Sequence, residues 1–422
     1  MALAVAIARP MPAAAFSGFG AVSADATYGL QMRFKVALPG GPPDKLQLLL
    51  RFAGSEDTVV APVVPGASSA EYLWDAKARP LTPNTAIAYR WRATAGDVVS
   101  LSPEKNLLYD DDRPGLDWHV ARIGDATVHW YGGAEAQARH FGKITADAAA
   151  AAETLLDLEL AGQVDIFVYA SHDDFFGALG PGAREWTGAA TFPALRTIFM
   201  WLQGGSSSYL ETTMTHEVTH VVFHDATANA FHDPATWFNE GLAVWSEQHT
   251  ADPEAATVRS ATGSGLLAFD GISESFPIGD QAARLAYAEG ATMVSMIIDR
   301  YGRGAIAKIA AAWRDGAGDA EALEAGTGVP AKSLYDDYFS SFGAKAPTAV
   351  DPAPIGPSNV SKPPQPAASG NQQASSSPAP VTQPNEKAAD ITWIVAVVAV
   401  GLVVGTVIAL VLRRRRQPPG LA

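Results

Sequence analysis

The chain has 422 residues, 48% of them hydrophobic, and a formal net charge of −14. That length allows two or three domains with sizeable cores, and the acidic balance excludes a nucleic-acid-binding protein, whose phosphate contacts need clustered Lys and Arg. It contains no cysteine, which excludes a disulfide framework and a thiolate metal site, so any metal must be held by His and carboxylate.

Residues 1–25 read as an export signal that is atypical or truncated. Ala2 to Ala8 is apolar and Ala13-Ala14-Ala15 offers small residues for cleavage, but no positive n-region precedes them. Residues 26–125 read as an all-β sandwich of roughly immunoglobulin size. Gln31 to Ala37, Lys45 to Phe52, Thr58 to Val64 and Ala86 to Thr94 are β-branched, aromatic or alternating, with Pro and Gly breaks between them. Its expected role is a spacer or rim. Tyr109-Asp110-Asp111-Asp112-Arg113 lacks the ligand spacing and glycine of a calcium loop and reads as a solvated turn near the domain junction.

From 126 to 343 the pattern changes. Ala126 to Tyr131 and Val164 to Ala170 predict strands, Ala134 to Leu160 predicts an alanine-rich helix or helix pair, and Leu195 to Leu202 another strand. Strands interleaved with helices imply an α/β or α+β domain. Residues 344–390 are dominated by Pro, Ala, Ser and Gln, a disordered stalk or linker that cannot bury enough surface to fold. Ile391 to Leu412 carries no charge and is about as long as one transmembrane helix requires. Arg413 to Arg416 then place the tail 413–422 in the cytoplasm and the rest of the chain outside, so the membrane is one expected partner.

Chemistry centres on Thr215-His216-Glu217-Val218-Thr219-His220. Residues four apart share a helix face, so His216 and His220 can present two imidazoles to one zinc ion. Glu217 stands beside the first, where a carboxylate acts as general base toward water. Ser208 and Glu211 suit a capping box that starts this helix. Asp233 as cap with Pro234 at the first helical position starts a second helix, carrying Glu240 about two turns in. A short connection lets the two helices pack as a hairpin and bring Glu240 to the metal as third ligand.

With these residues in view, the chain resembles the gluzincin metallopeptidases, which pair His-Glu-x-x-His with a more distant Glu; here the separation is 20 (240 − 220). Trp237-Phe238-Asn239-Glu240-Gly241-Leu242-Ala243 is similar to the Trp-Leu-Asn-Glu-Gly-Phe-Ala stretch of membrane-alanyl type aminopeptidases and of the peptidase MA-like family. Tyr287-Ala288-Glu289-Gly290-Ala291 resembles their Tyr-x-Lys-Gly-Ala motif, whose tyrosine stabilises the oxyanion. The resemblance implies an α+β gluzincin-type domain, zinc as cofactor, His216, His220 and Glu240 as ligands, Glu217 and Tyr287 as catalytic residues, and a peptide or protein substrate. Trp186-Thr187-Gly188-Ala189-Ala190-Thr191 lacks the Met, Glu and Asn with which the aminopeptidases hold a free amine, so endopeptidase action is the expectation. Val244 stands where thermolysin-like enzymes place an aspartate behind a ligand, so the support for the metal's histidines must come from elsewhere. The strand Leu195 to Leu202 is expected to pair with an extended substrate. Two other functions fit the same residues: a catalytically inactive binding or structural protein at the cell surface, and a zinc hydrolase of non-peptide amides or esters.

Overall fold

The computed structural model describes residues 16–347 apart from 56, 134, 180–188, 202–206, 249, 264 and 278–279. Residues 1–15, the linker from 348 onward, the apolar run 391–412 and the tail 413–422 lie outside the described residues. Among the described residues no helix is long and apolar enough to cross a membrane.

The N-terminal unit is built from β1 (Val22–Thr27), β2 (Gln31–Ala37), β3 (Lys45–Phe52), β4 (Thr58–Val63), β5 (Ser69–Asp75), β6 (Thr85–Ala95), β7 (Val98–Leu101) and β8 (Lys105–Tyr109). One antiparallel sheet runs β1-β2-β5 and a second β4-β3-β6-β7, with β8 continuing along the β6 edge. Strand alternation turns every second side chain inward. Thr85, Ile87, Tyr89, Trp91 and Ala93 of β6 are buried, and Ile87, Tyr89, Trp91 and Ala93 share a core with Met32, Phe34 and Val36 of β2. The sandwich reaches back into the expected signal segment 1–25. All six residues of β1 pair with β2, and Phe16 and Phe19 pack on the same core, so the backbone there is already committed to the sheet.

The second unit follows with β9 (His119–Ile123), β10 (Ala126–Trp130), α1 (Glu135–Leu156), β11 (Val164–Tyr169), α2 (His172–Leu179), β12 (Ala189–Phe192), β13 (Thr197–Trp201), α3 (Ser207–Thr227), α4 (Thr236–Gln248), α5 (Asp252–Ala261), α6 (Asp280–Tyr301), α7 (Gly304–Arg314), α8 (Asp319–Thr327) and α9 (Ala331–Ser341). Its sheet has the order β12-β13-β11-β10-β9, with β10, β11 and β13 parallel and the outer strands antiparallel. The sheet starts at His119 rather than at 126, because β9 turns back through Gly124 to pair with β10. The chain thus places an N-terminal β unit before a helix-rich one.

Three expectations about the elements around the zinc motif change. β13 does not offer an edge to substrate: it lies between β11 and β12, paired on both sides, and among the described residues β12 ends the sheet. The second helix begins at Thr236, not Pro234, because the Thr236 N–H donates to the Ser273 carbonyl at 2.7 Å and the first helical carbonyl is that of Ala235. Glu240 therefore sits about one turn inside α4. Glu211 bonds His140 of α1 (Nε2 to Oε1 3.2 Å), so its side chain is occupied away from the start of α3; Ser208's side chain lies outside the described residues.

The acidic run 110–112 is not a solvated turn. Asp111 is fully buried, and the Arg113 fork donates to both its oxygens (Nε to Oδ1 2.7 Å, Nη2 to Oδ2 2.6 Å). The Tyr169 hydroxyl of β11 donates to Oδ2 as well, at 3.1 Å. Arg113 also donates to the Asp174 carbonyl of α2, while Tyr28, in the β1–β2 turn, donates from its hydroxyl to the Ala178 carbonyl. A carboxylate in that position is tolerable only because a bidentate guanidinium and a hydroxyl satisfy it. The same contacts tie the sandwich to the second unit.

Candidate metal centre and active site

Helix α3 packs between the sheet and α4, and α4 packs on α6. The α4–α6 contact is backbone against backbone. A Cβ added at Gly241 would stand 2.3 Å from the carbonyl carbon of Gly290, 2.5 Å from its oxygen and 2.8 Å from the Ala291 nitrogen; one added at Gly290 would strike the Trp237 carbonyl oxygen. Two glycines thus set the distance between the helix carrying Glu240 and the helix carrying Tyr287.

His216, His220 and Glu240 converge, each buried, with one potential ligand atom apiece inside a span of 4.8 Å. Glu240 Oε2 lies 3.7 Å from His216 Nε2 and 3.6 Å from His220 Nε2. Both Nε2 atoms and both Glu240 oxygens are buried with no hydrogen-bond partner. Orphaned polar atoms of this kind are costly unless something unites them, and the set is two imidazole nitrogens and a carboxylate with correct mutual spacing for one cation.

The far nitrogens explain how the imidazoles are held. His216 Nδ1 meets Glu247 Oε1 at 2.8 Å, and His220 Nδ1 meets Asn239 Oδ1 at 2.9 Å. Both partners are acceptors, so each ring carries a proton on Nδ1 and turns its Nε2 toward Glu240. Neither residue was singled out from sequence as support for the metal. Asn239 lies within the stretch Trp237 to Ala243, and Glu247 follows Glu240 by two turns on the same face of α4, a spacing that could have signalled it. Replacing Glu247 by Ala is expected to weaken zinc binding roughly 10- to 100-fold, read by competition with a chromophoric chelator.

Electrostatics favour a positive charge at this centre. Burial opposes charging His216, yet the carboxylates of Glu240 and Glu247 outweigh it and raise its pKa to about 10. Burial, with the His216 charge beside it, lowers His220 to about 3, and burial raises Glu240 to about 7. Burial also raises Glu217, against the pull of His216 and Thr191.

Glu217 faces the sheet rather than the ligand cluster's supports. It accepts a hydrogen bond from the Thr191 hydroxyl of β12, and both side chains are buried. Thr191 is a site residue that the sequence alone did not reveal. Tyr287 is buried on α6 with its ring edge-on to Phe276 at 4.8 Å. Burial first, then the charges of Glu240 and Glu217, hold its hydroxyl well above the usual range, so it remains a proton donor.

Two residues beyond Tyr287, Glu289 is buried at the position where the resembling motif has Lys. Its Oε1 accepts the Leu267 N–H at 2.8 Å, while Oε2 has no partner. Burial pushes its pKa up to about 8 from 4.5, and the Leu267 N–H offsets only part of that. The folded state therefore keeps a proton that the unfolded chain releases near pH 4.5. This contribution is whole below about pH 4.5 and is lost as pH rises toward 8. Glu289→Gln keeps the acceptor for Leu267 and removes the titration. Urea unfolding should show the variant gaining on the wild type by on the order of 3 kcal/mol between pH 5 and 8.

The Peptidase MA superfamily model matches residues 145–343. No curated protein matches the chain. Among solved structures, an aminopeptidase N family protein from Idiomarina loihiensis aligns over 74% of this chain and 74% of its own, at 9% identity and a TM-score of 0.38. An M1 zinc metallopeptidase from Deinococcus radiodurans aligns over 77% of this chain and 91% of its own, at 12% identity and a TM-score of 0.29. Structural likenesses this loose carry no argument about chemistry, whereas the family match spans every residue of the cluster. The Peptidase MA superfamily match over residues 145–343 takes in His216, Glu217, His220, Glu240 and Tyr287.

Proposed function

We propose that the protein is a membrane-anchored, extracytoplasmic zinc endopeptidase. The observation that carries this is the buried convergence of two partnerless Nε2 atoms and the partnerless Glu240 carboxylate, with Glu217 next to the first ligand. His216, His220 and Glu240 would hold zinc, which when bound supplies Lewis acidity that polarises a carbonyl and acidifies water near neutral pH. Glu217 takes the proton from the attacking water and passes it to the leaving amine. The Tyr287 hydroxyl donates to the carbonyl oxygen as its charge develops. Because β12 ends the sheet next to Glu217, the backbone of an extended peptide would add there, antiparallel or parallel, through main-chain hydrogen bonds.

The endopeptidase reading is supported by how the described carboxylates of the site are engaged. Glu217 is bonded to Thr191, Glu240 faces the two Nε2 atoms, Glu247 supports His216 and Glu289 is buried against Leu267. The first three are thereby committed within the site, and Glu289 is raised by burial to a pKa of about 8, so that it is uncharged at neutral pH. The anchoring is supported by the uncharged run Ile391 to Leu412 and the four arginines after it, which put the catalytic domain outside and the tail 413–422 inside.

The test uses the full chain in detergent micelles, with bound metal measured by plasma mass spectrometry and cleavage followed on a diverse peptide library. About one zinc per chain with cuts at internal bonds is the expected result. An active protein free of metal would overturn the mechanism, and a zinc-loaded protein that cuts nothing would identify an inactive binding protein. Cuts confined to the first residue would reassign it as an aminopeptidase.

A further inference from the structure

We propose that Thr191 is a positioning residue for Glu217, holding the base's carboxylate from the edge strand along which the substrate would lie. The inference rests on the proposed peptidase reaction and adds a residue that neither the zinc motif nor its resemblance assigns. Glu217 has three side-chain torsions and points from a helix toward a sheet, so the motif alone does not orient its carboxylate. A general base must be held within roughly 0.5 Å and 10–20° of its working geometry to be effective. Among the described residues the side-chain partner of that carboxylate is Thr191, whose hydroxyl donates to Oε2. Both side chains are nearly sealed from water, at 5% and 3% exposure, so water does not compete for this bond as it would at a surface.

Thr191 suits the task by its own stiffness. A β-branched side chain in a strand has few χ1 choices, and its backbone is registered against Ile198 of β13, which is itself paired with β11. The anchor is thus fixed to the sheet while the base is fixed to α3. The bond occupies Oε2 from the sheet side and leaves Oε1 for the proton of the attacking water. Since a peptide adding to the sheet would pair with the backbone of β12 itself, seating the substrate and orienting the base involve the same four-residue strand, Ala189–Phe192.

The experiment compares Thr191→Val, which keeps shape and branching but loses the donor, with Thr191→Ser, which keeps the donor. Both are made in the full, zinc-loaded chain. On a mixture of internally quenched peptides, the Val variant is expected to lose roughly 10- to 100-fold in kcat with KM changed by less than about two-fold, because the interaction orients the base rather than binding substrate. The Ser variant is expected to stay within about three-fold of wild type. Zinc content should be equal in all three proteins. A second readout does not require turnover: acetohydroxamate, whose hydroxyl donates to a base carboxylate, is titrated by calorimetry and should bind roughly 10-fold more weakly to the Val variant and normally to the Ser variant. Equal losses in both variants, a change in KM alone, or unchanged hydroxamate binding in the Val variant would overturn the proposal. A zinc-loaded wild type that binds hydroxamate but cuts no peptide would overturn the peptidase reading instead, and the hydroxamate comparison would still decide the role of Thr191.

Discussion

Glu217→Gln is expected to lower kcat on any cleaved peptide by roughly 10²- to 10⁴-fold, the range over which a positioned acid–base group contributes, while bound zinc stays stoichiometric. The substitution is nearly isosteric. The amide oxygen still accepts from Thr191, so the side chain keeps its place, but it can no longer take a proton from water. Since burial makes the charged carboxylate costly at this position, the variant should be at least as stable as the wild type. Loss of turnover together with unchanged zinc content and an unchanged or raised Tm separates chemistry from folding. If turnover survives in the variant, Glu217 is not the base and the mechanism falls.

Gly241→Ala is expected to be the most damaging small substitution in the domain. Helix propensity alone would make Ala the better residue by about 1 kcal/mol. Here the added methyl would overlap the Gly290 carbonyl, and the obstacle is backbone that cannot turn aside. Overpacking in a well-packed core commonly costs about 1–3 kcal/mol and sometimes more, and with two main chains forced apart the upper end applies. A net loss of about 3 kcal/mol and a Tm lowered by roughly 5–10 °C are expected. Glu240 is the neighbouring residue, so zinc affinity should fall along with stability. Gly271→Ala is the control: its methyl would meet nothing within 4 Å, and it should change stability by less than about 0.5 kcal/mol. Equal effects of the two substitutions would show that α4 and α6 do not depend on this close approach.

What could be read from sequence follows from which interactions are local. β2 and β3 were legible to the residue because their alternation and flanking turns are local signals, and the His216–His220 pair was legible because helical spacing is also local. β1, β5 and β12 were not, since they are defined by partners elsewhere, namely Val36 for Val22, Gln31 for Asp75 and Thr197 for Phe192. The displaced start of α4 has the same origin, a hydrogen bond from Thr236 to the distant Ser273 that no cap residue announces. Glu240 was legible through its surrounding words, whereas Glu247 and Thr191 act through single side chains that meet the site only after folding.

The Asp111–Arg113 junction has a consequence for the molecule's history. Tyr169, Asp174 and Ala178 belong to the peptidase unit, yet their polar groups find partners in Asp111, Arg113 and Tyr28 on the sandwich side. A sandwich excised at this seam would leave Tyr169 with a buried hydroxyl stripped of its acceptor. The two units are therefore ill suited to separate shuffling between genes. Among descendants of this chain, the front module and the catalytic module should be retained together or lost together, and the residues of the seam should drift as a linked set rather than one by one.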